Sequence, residues 1–82
     1  MAEVRYIGYI KELTNVPSEE FNVDTIAQML KEIEKRYGKE AYRVVKKSHI
    51  FVNHTSIVAL KDFRTSLKTN DIVQIVPVCG GG

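Results

Sequence analysis

One stretch of this sequence has an apolar pattern with a helical period, and it limits the folds open to the whole chain. Its apolar positions recur three or four residues apart, so they lie on one stripe of an α-helix. They are Ile26, Met29, Leu30, Ile33 and Tyr37. Thr25 can cap the N-terminus with Gln28 three residues on, and Gly38 is a typical stop. The sequence therefore predicts one main helix over residues 26–37, with Met29 as core filler.

Strand patterns precede this helix. Residues 4–13 are rich in β-branched and aromatic side chains and predict a strand, in which Gly8 marks a close approach or a local bend. Residues 20–23 alternate polar and apolar side chains, which predicts a short second strand. The simplest arrangement of the two is a hairpin.

Strand patterns also follow the helix. Residues 50–53 predict a strand, residues 54–56 a turn and residues 57–60 a short partner strand. After a polar stretch and a turn, residues 72–76 predict the last strand, which Pro77 closes. Residues 39–48 fit either a strand or a second short helix.

A single helix among four or five strands must cover one face of a mixed sheet, so the predicted class is α+β. In the last strand Val73 and Ile75 are expected to face the helix. Ile72, Gln74 and Val76 then point outward, where apolar side chains near the chain end suggest a docking surface. An isolated apolar surface residue is the plainer interpretation of the same pattern.

Composition excludes several classes of function. The 82 residues suffice for one domain, and 44% apolar with 27% charged residues is typical of a soluble globular protein. No apolar run could serve as a signal peptide or membrane span, so we expect a cytoplasmic protein with no membrane partner. A net charge of +2 argues against nucleic acid. One cysteine, and His49 and His54 on opposite faces of a strand segment, argue against a metal site.

The chain ends on three consecutive glycines, which can thread a passage too narrow for any other residue. We divide the chain into a domain at residues 1–77 and a flexible tail at residues 78–82. The tail would present its carboxylate to another protein, or it would be an inert, frayed end. Basic side chains cluster late in the chain, where they form either a solvated face or an electrostatic guide to an acidic partner. They are Arg43, Lys46, Lys47, Lys61, Arg64 and Lys68.

These features together resemble the MoaD/ThiS-type sulfur carriers of the ubiquitin-like β-grasp fold, most closely the small subunit of molybdopterin synthase. The resemblance spans nearly the whole chain. It is carried by the first strand at residues 4–13, the helix at 23–38, a hairpin tip at 51–53, the last turn and strand at 70–73, and the proline-to-diglycine ending at 77–81. The chain departs from the family's pattern at two places. Its end has Val76 in place of a proline and a third glycine, Gly82, and His54 stands where glycine is frequent.

The resemblance implies a carrier that is not catalytic alone and binds no cofactor. A ubiquitin-activating-like adenylyltransferase would use ATP in trans to adenylate the Gly82 carboxylate, with Gly81 beside it. Sulfide from a persulfide donor would displace AMP, and the resulting thiocarboxylate would enter the larger catalytic subunit of molybdopterin synthase. The residues expected to contact partners are Val76, Pro77, Val78, Cys79 and Gly80.

Alternatives remain at this stage. Cys79 is interpreted as an incidental small apolar residue, because nothing near it in sequence lowers the pKa of its thiol; the other interpretations are a persulfide acceptor and a transient crosslink to the activating enzyme. The same tail would suit a carrier for thiamin thiazole or tRNA thiolation. It would also suit a ubiquitin-like modifier joined to lysines, and an interaction domain with an inert tail is the fourth hypothesis.

Overall fold

The computed structural model describes residues 1–78, which form a mixed sheet with helices on one face. The strands are β1 Ala2–Tyr6, β2 Ser18–Phe21, β3 His49–Val52, β4 Thr55–Ser56 and β5 Ile72–Val76. Their order is β2-β1-β5-β3-β4, with β1 parallel to β5 and the other neighbours antiparallel. The predicted α+β class is confirmed. The predictions for Cys79, Gly80, Gly81 and Gly82 lie outside the described residues.

The main helix, α2 Ile26–Tyr37, confirms the strongest pattern in the sequence. Thr25 Oγ1 accepts a hydrogen bond from the Gln28 amide at 3.1 Å, as an N-cap should. The Gln28 side chain in turn accepts from the amide of Asp24 at 2.8 Å, one residue earlier than in a standard capping box. Gly38 ends the helix with a φ of 96°. Met29 lies fully buried on the stripe, as predicted.

The prediction of one strand over residues 4–13 is wrong in its second half. β1 stops at Tyr6, and a short helix, α1 Ile10–Thr14, follows. Gly8 adopts a φ of 63°, which breaks the extended run before α1. Ile10 and Thr14 are buried one helical turn apart, so the apolar character of this segment belongs to a helix rather than to both faces of a strand.

The first pairing is antiparallel, as the predicted hairpin requires, although α1 lies in the connection between its strands. The second strand begins earlier than predicted, at Ser18, and ends at Phe21. Phe21 is its one fully buried side chain and faces the core opposite Ala2.

The second predicted hairpin exists, but its partner strand is misplaced. Asn53 and His54 both have positive φ, 50° and 73°, so they make a two-residue turn whose twist suits a hairpin. Pairing therefore starts at once, with Val52 opposite Thr55 in β4. The residues predicted as strand form a 3₁₀ turn, Ile57–Ala59, instead. His54 thus has a left-handed backbone conformation, which glycine adopts more easily than any other residue.

Residues 39–48, left open between a strand and a helix, form a helix, α3 Lys39–Lys47. Ala41 and Val45 are buried one turn apart and pack α3 against the core. The Ser48 hydroxyl donates to the carbonyl of Val44 at 2.7 Å and closes the last turn.

Burial along β5 alternates as predicted. Val73 and Ile75 are fully buried against the helices, whereas Ile72, Gln74 and Val76 are half-buried on the opposite face. β5 lies between β1 and β3, so backbone hydrogen bonds hold it from both sides. The end of β5 is therefore a rigid point from which the rest of the chain departs.

A polar cluster that the sequence did not reveal ties β1, β2 and α2 together. Glu19 Oε2 accepts hydrogen bonds from the hydroxyls of Tyr6 and Tyr37, both at 2.6 Å, and Oε1 accepts from Arg36 at 2.8 Å. Burial, reinforced by the bond to Glu19, raises the pKa of Tyr6 above its ordinary value and that of Tyr37 to about 12. Arg36 also lies 4.4 Å above the ring of Phe21.

Within residues 1–78, no helix has the length and apolar character needed to cross a membrane.

Candidate functional site

The candidate site begins where β5 ends, at Pro77. Pro77 is buried, and its ring lies against Gly8. A Cβ placed on Gly8 would come within 3.0 Å of Pro77 Cγ and 3.5 Å of Cδ. Gly8 is therefore required twice, for its positive φ and for this close approach, which confirms the role assigned to it from the sequence. The contact holds the chain in place as far as Pro77.

Val78 is the first residue to leave this support, and 46% of its surface is exposed. It lines an open cavity of about 240 Å³ together with Tyr9 from the start of α1 and Val44, Lys47 and Ser48 from the end of α3. Tyr9 follows the turn at Gly8, which leads from β1 into α1. The predicted residues Pro77 and Val78 thus lie at the meeting point of the sheet, α1 and α3.

The face of the sheet opposite the helices leads to the same point. Val76 is paired with His49 at the end of β3, and Gln74 with Phe51. Val76 and Phe51 are half-buried on this face, and Ile7, just after β1, is 39% exposed. Val76 therefore belongs to a partly apolar surface beside the chain exit.

The opposite end of β5 is fixed by a separate set of hydrogen bonds. The Asn53 side chain donates to Asp71 at 2.9 Å and accepts from the amide of Ile72 at 2.9 Å. Asp71 also accepts from the amide of Lys68 at 2.8 Å, and this bond with that from Asn53 holds the pKa of Asp71 below its usual range. The hairpin tip and the last turn therefore set the start of β5, and the Gly8 contact sets its end.

The sequence located the tail but missed the residues that surround its base. Tyr9 lies in a segment predicted as strand, and Val44, Lys47 and Ser48 lie in the segment left undecided. The helical spacing of the last three was readable once a helix was assumed, but their closeness to Val78 depends on tertiary packing. Within residues 1–78, no group of three or more histidine, cysteine, aspartate or glutamate residues could hold a metal ion.

Comparisons with known proteins place the chain in a family. The family model described as the ThiS family matches residues 4–82. No curated protein sequence matches the chain significantly.

Similar structures share the ubiquitin-like β-grasp fold. The small archaeal modifier protein 1 of Methanosarcina acetivorans has a TM-score of 0.86 at 20% identity, covering 99% of this chain and 95% of that one. A chain of the Amycolatopsis orientalis BexX/CysO complex has a TM-score of 0.84 at 20% identity and covers 100% of both. A chain of the Helicobacter pylori complex of molybdopterin-converting factor subunits 1 and 2 has a TM-score of 0.69 at 26% identity, covering 98% of this chain and 97% of that one.

The element order and the family match agree with the resemblance found in the sequence. Because the match extends over nearly the whole chain, this protein belongs to the ThiS family of MoaD/ThiS-type, ubiquitin-fold carriers and modifiers.

Proposed function

We propose that this protein is a sulfur carrier whose C-terminal glycine becomes a thiocarboxylate, and that it supplies sulfur for molybdopterin synthesis. The observation that carries the proposal is the anchored tail in a ThiS-family chain. Pro77 is buried against Gly8, Val78 is exposed, and only small residues follow. A rigid domain would then stay outside a partner enzyme while the glycines enter its active site.

The chemistry needs little from the carrier itself. A carboxylate is a poor acyl donor, so an adenylyltransferase first joins the Gly82 carboxylate to AMP, and pyrophosphate leaves ATP. Sulfide, released from a persulfide by a thiol, then attacks the acyl carbon; the new C–S bond forms as the bond to AMP breaks. Gly81 and Gly82 leave both faces of that carbonyl open to attack. No general acid or base of this chain takes part.

The molybdopterin pathway is preferred among the possible sulfur-transfer pathways because of one comparison. The Helicobacter pylori complex pairs subunit 1 with subunit 2 of a molybdopterin-converting factor, and a chain of it is 26% identical to this protein. The larger subunit of such a synthase is the proposed partner that receives the tail, with Val76 and Val78 at the base of the inserted segment, and the pterin precursor bound there would accept the sulfur. Thiamin thiazole synthesis and tRNA thiolation are the other pathways that the same tail chemistry suits.

Protein modification is the second candidate. A lysine amine can attack an acyl-adenylate in place of sulfide, with AMP leaving in both cases, and one structural relative is named a modifier protein. The product would then be an isopeptide at Gly82 rather than a thiocarboxylate.

Intact mass spectrometry separates these outcomes. The protein is incubated with ATP, the adenylyltransferase from the same genome and a persulfide donor. Replacement of one oxygen by sulfur at the C-terminus is the expected result, and lysine conjugates in cell extract would favour the modifier instead. A variant that lacks residues 81–82 is the control: it should melt with the wild type yet remain unmodified. An unchanged wild-type mass, with an enzyme that modifies another carrier, would refute the proposal.

A further inference from the structure

The helix beside the tail carries an excess of positive charge. α3 contains four basic side chains and one acidic one, Glu40, so its formal charge is +3. The whole chain carries +2, so the remaining residues are together net −1. The positive charge of this protein is therefore concentrated on one short helix, which ends next to Val78.

These charges are not neutralised within residues 1–78. The three salt bridges of this part of the chain involve Arg5 and Arg36 and none of the basic side chains of α3. Arg43 and Lys47 lie four residues apart on the exposed side of α3, a like-charge spacing that is mildly destabilising in a helix. A partner that brings carboxylates to this pair would relieve the repulsion.

An apolar cavity adjoins Lys47, the second residue of the charged pair. Tyr9, Val44 and Val78 provide its apolar lining, and Lys47 stands at its edge. Its volume of about 240 Å³ gives room for one apolar side chain. Tyr9 and Val78 are 50% and 46% exposed, so the surface is open to a partner.

The length of the tail decides which partner can reach this surface. Residues 79–82 extend at most about 13–14 Å beyond Val78. An enzyme that holds the terminal carboxylate must therefore approach the cavity and the end of α3 closely. Nucleic acid is disfavoured, because the basic region is small, contains Glu40 and borders an apolar cavity.

We propose that Arg43, Lys47 and the adjoining cavity form a docking surface for an acidic region of the adenylyltransferase that acts on the tail. Carboxylates of the enzyme pair with Arg43 and Lys47, and an apolar side chain of the enzyme enters the cavity between Tyr9 and Val44. The inference rests on the proposed function, and it adds the surface by which the carrier is recognised before its carboxylate reacts.

Steady-state adenylation kinetics test whether Arg43 and Lys47 contribute to docking. The rate of pyrophosphate release is measured against carrier concentration for wild type and for Arg43→Glu/Lys47→Glu. The control is Lys31→Glu/Lys35→Glu, which changes the net charge equally at two exposed positions of α2, also four residues apart and outside the cavity. We expect the first variant to raise KM about tenfold or more, with kcat nearly unchanged, and the control to raise KM less than about twofold.

Salt and a third variant separate charge from apolar contact. The Debye length falls from about 10 Å at about 0.1 M salt to about 3 Å at about 1 M, so the difference between the two charge variants should shrink. Tyr9→Ala should raise KM at both salt concentrations, because its contact is apolar. All variants should retain the wild-type melting transition, since the substituted side chains are exposed.

Each outcome decides between the two proposals. Equal KM for both charge variants, or no effect of either, would overturn the docking surface while adenylation of the wild type still supported the carrier. Competition by tRNA for the Arg43 and Lys47 pair would also overturn it in favour of a nucleic-acid site. Absence of any wild-type adenylation would overturn the carrier and, with it, this surface.

Discussion

The contact between Gly8 and Pro77 makes the sharpest prediction about how the tail is held. In Gly8→Ala the new methyl group would lie 3.0 Å from Pro77 Cγ, whereas carbon atoms in good contact are about 3.5–4.0 Å apart. The ring of Pro77 would have to move, and residue 8 would have to keep a φ of 63° with a side chain. The substitution therefore perturbs the end of β5 and the start of the tail together.

Both costs can be estimated. A left-handed backbone costs a non-glycine residue about 1–2 kcal/mol. Overpacking by one methyl group in a well-packed place costs about 1–3 kcal/mol more. We expect Gly8→Ala to lower the free energy of unfolding by about 2–5 kcal/mol, and each kcal/mol moves the melting temperature of a domain this small by about 4–8 °C.

A double-mutant cycle separates the backbone cost of Gly8→Ala from the cost of its clash with Pro77. Urea unfolding is measured for wild type, Gly8→Ala, Pro77→Ala and the double variant. Without the proline ring, Gly8→Ala should cost only the backbone part, about 1–2 kcal/mol. The coupling energy should then be about 1–3 kcal/mol. A coupling energy near zero, or a Gly8→Ala protein as stable as wild type, would refute this description of the tail anchor.

Four further predictions concern stability. Glu19→Gln should lower the free energy of unfolding by about 1.5–3 kcal/mol in urea titrations, while Glu20→Gln next to it, which is exposed, should change it by less than about 0.5 kcal/mol. The raised pKa of Tyr37 means that its contribution is complete below about pH 10 and is lost as pH rises toward about 12; Tyr37→Phe should flatten this alkaline decline. The lowered pKa of Asp71 works in the other direction: its contribution is complete well above about pH 4 and is lost as pH falls through the folded pKa, and Asp71→Asn should reduce the acid sensitivity. Thr25→Ala should cost about 1 kcal/mol, and a Thr25→Ser protein that melts like wild type would confirm the cap as the cause.

Elements with local signals were predictable from the sequence. The cap at Thr25, the apolar stripe and the stop at Gly38 all lie within α2 or next to it, so they identify the helix without reference to the rest of the fold. β5 was equally clear, because a turn and Pro77 bound its alternating pattern.

Elements whose identity depends on distant partners were mispredicted. The apolar positions in residues 10–14 and 57–59 fit the period of a helix as well as that of a strand. The backbone conformation of these segments is therefore decided by what they pack against. The partner strand β4 begins earlier than predicted, because the two-residue turn at Asn53 and His54 allows Val52 to pair directly with Thr55. α3 stayed undecided for the same reason: its few apolar residues fit either period over so short a stretch.

The sequence by itself determined the main helix, the last strand, the α+β class and, through the resemblance that the family match confirms, a ThiS-type chain with a glycine tail. Only the tertiary structure decided what stands around the base of that tail. Tyr9 and α3 reach Val78 because the Gly8 turn and the packing of Val45 bring distant segments together. The Glu19 cluster was hidden likewise, since hydrogen bonds between side chains far apart in sequence leave no periodic pattern. Local patterns were enough to identify α2 and β5, whereas non-local packing decided the backbone of residues 10–14 and 57–59 and determined which side chains meet at the site.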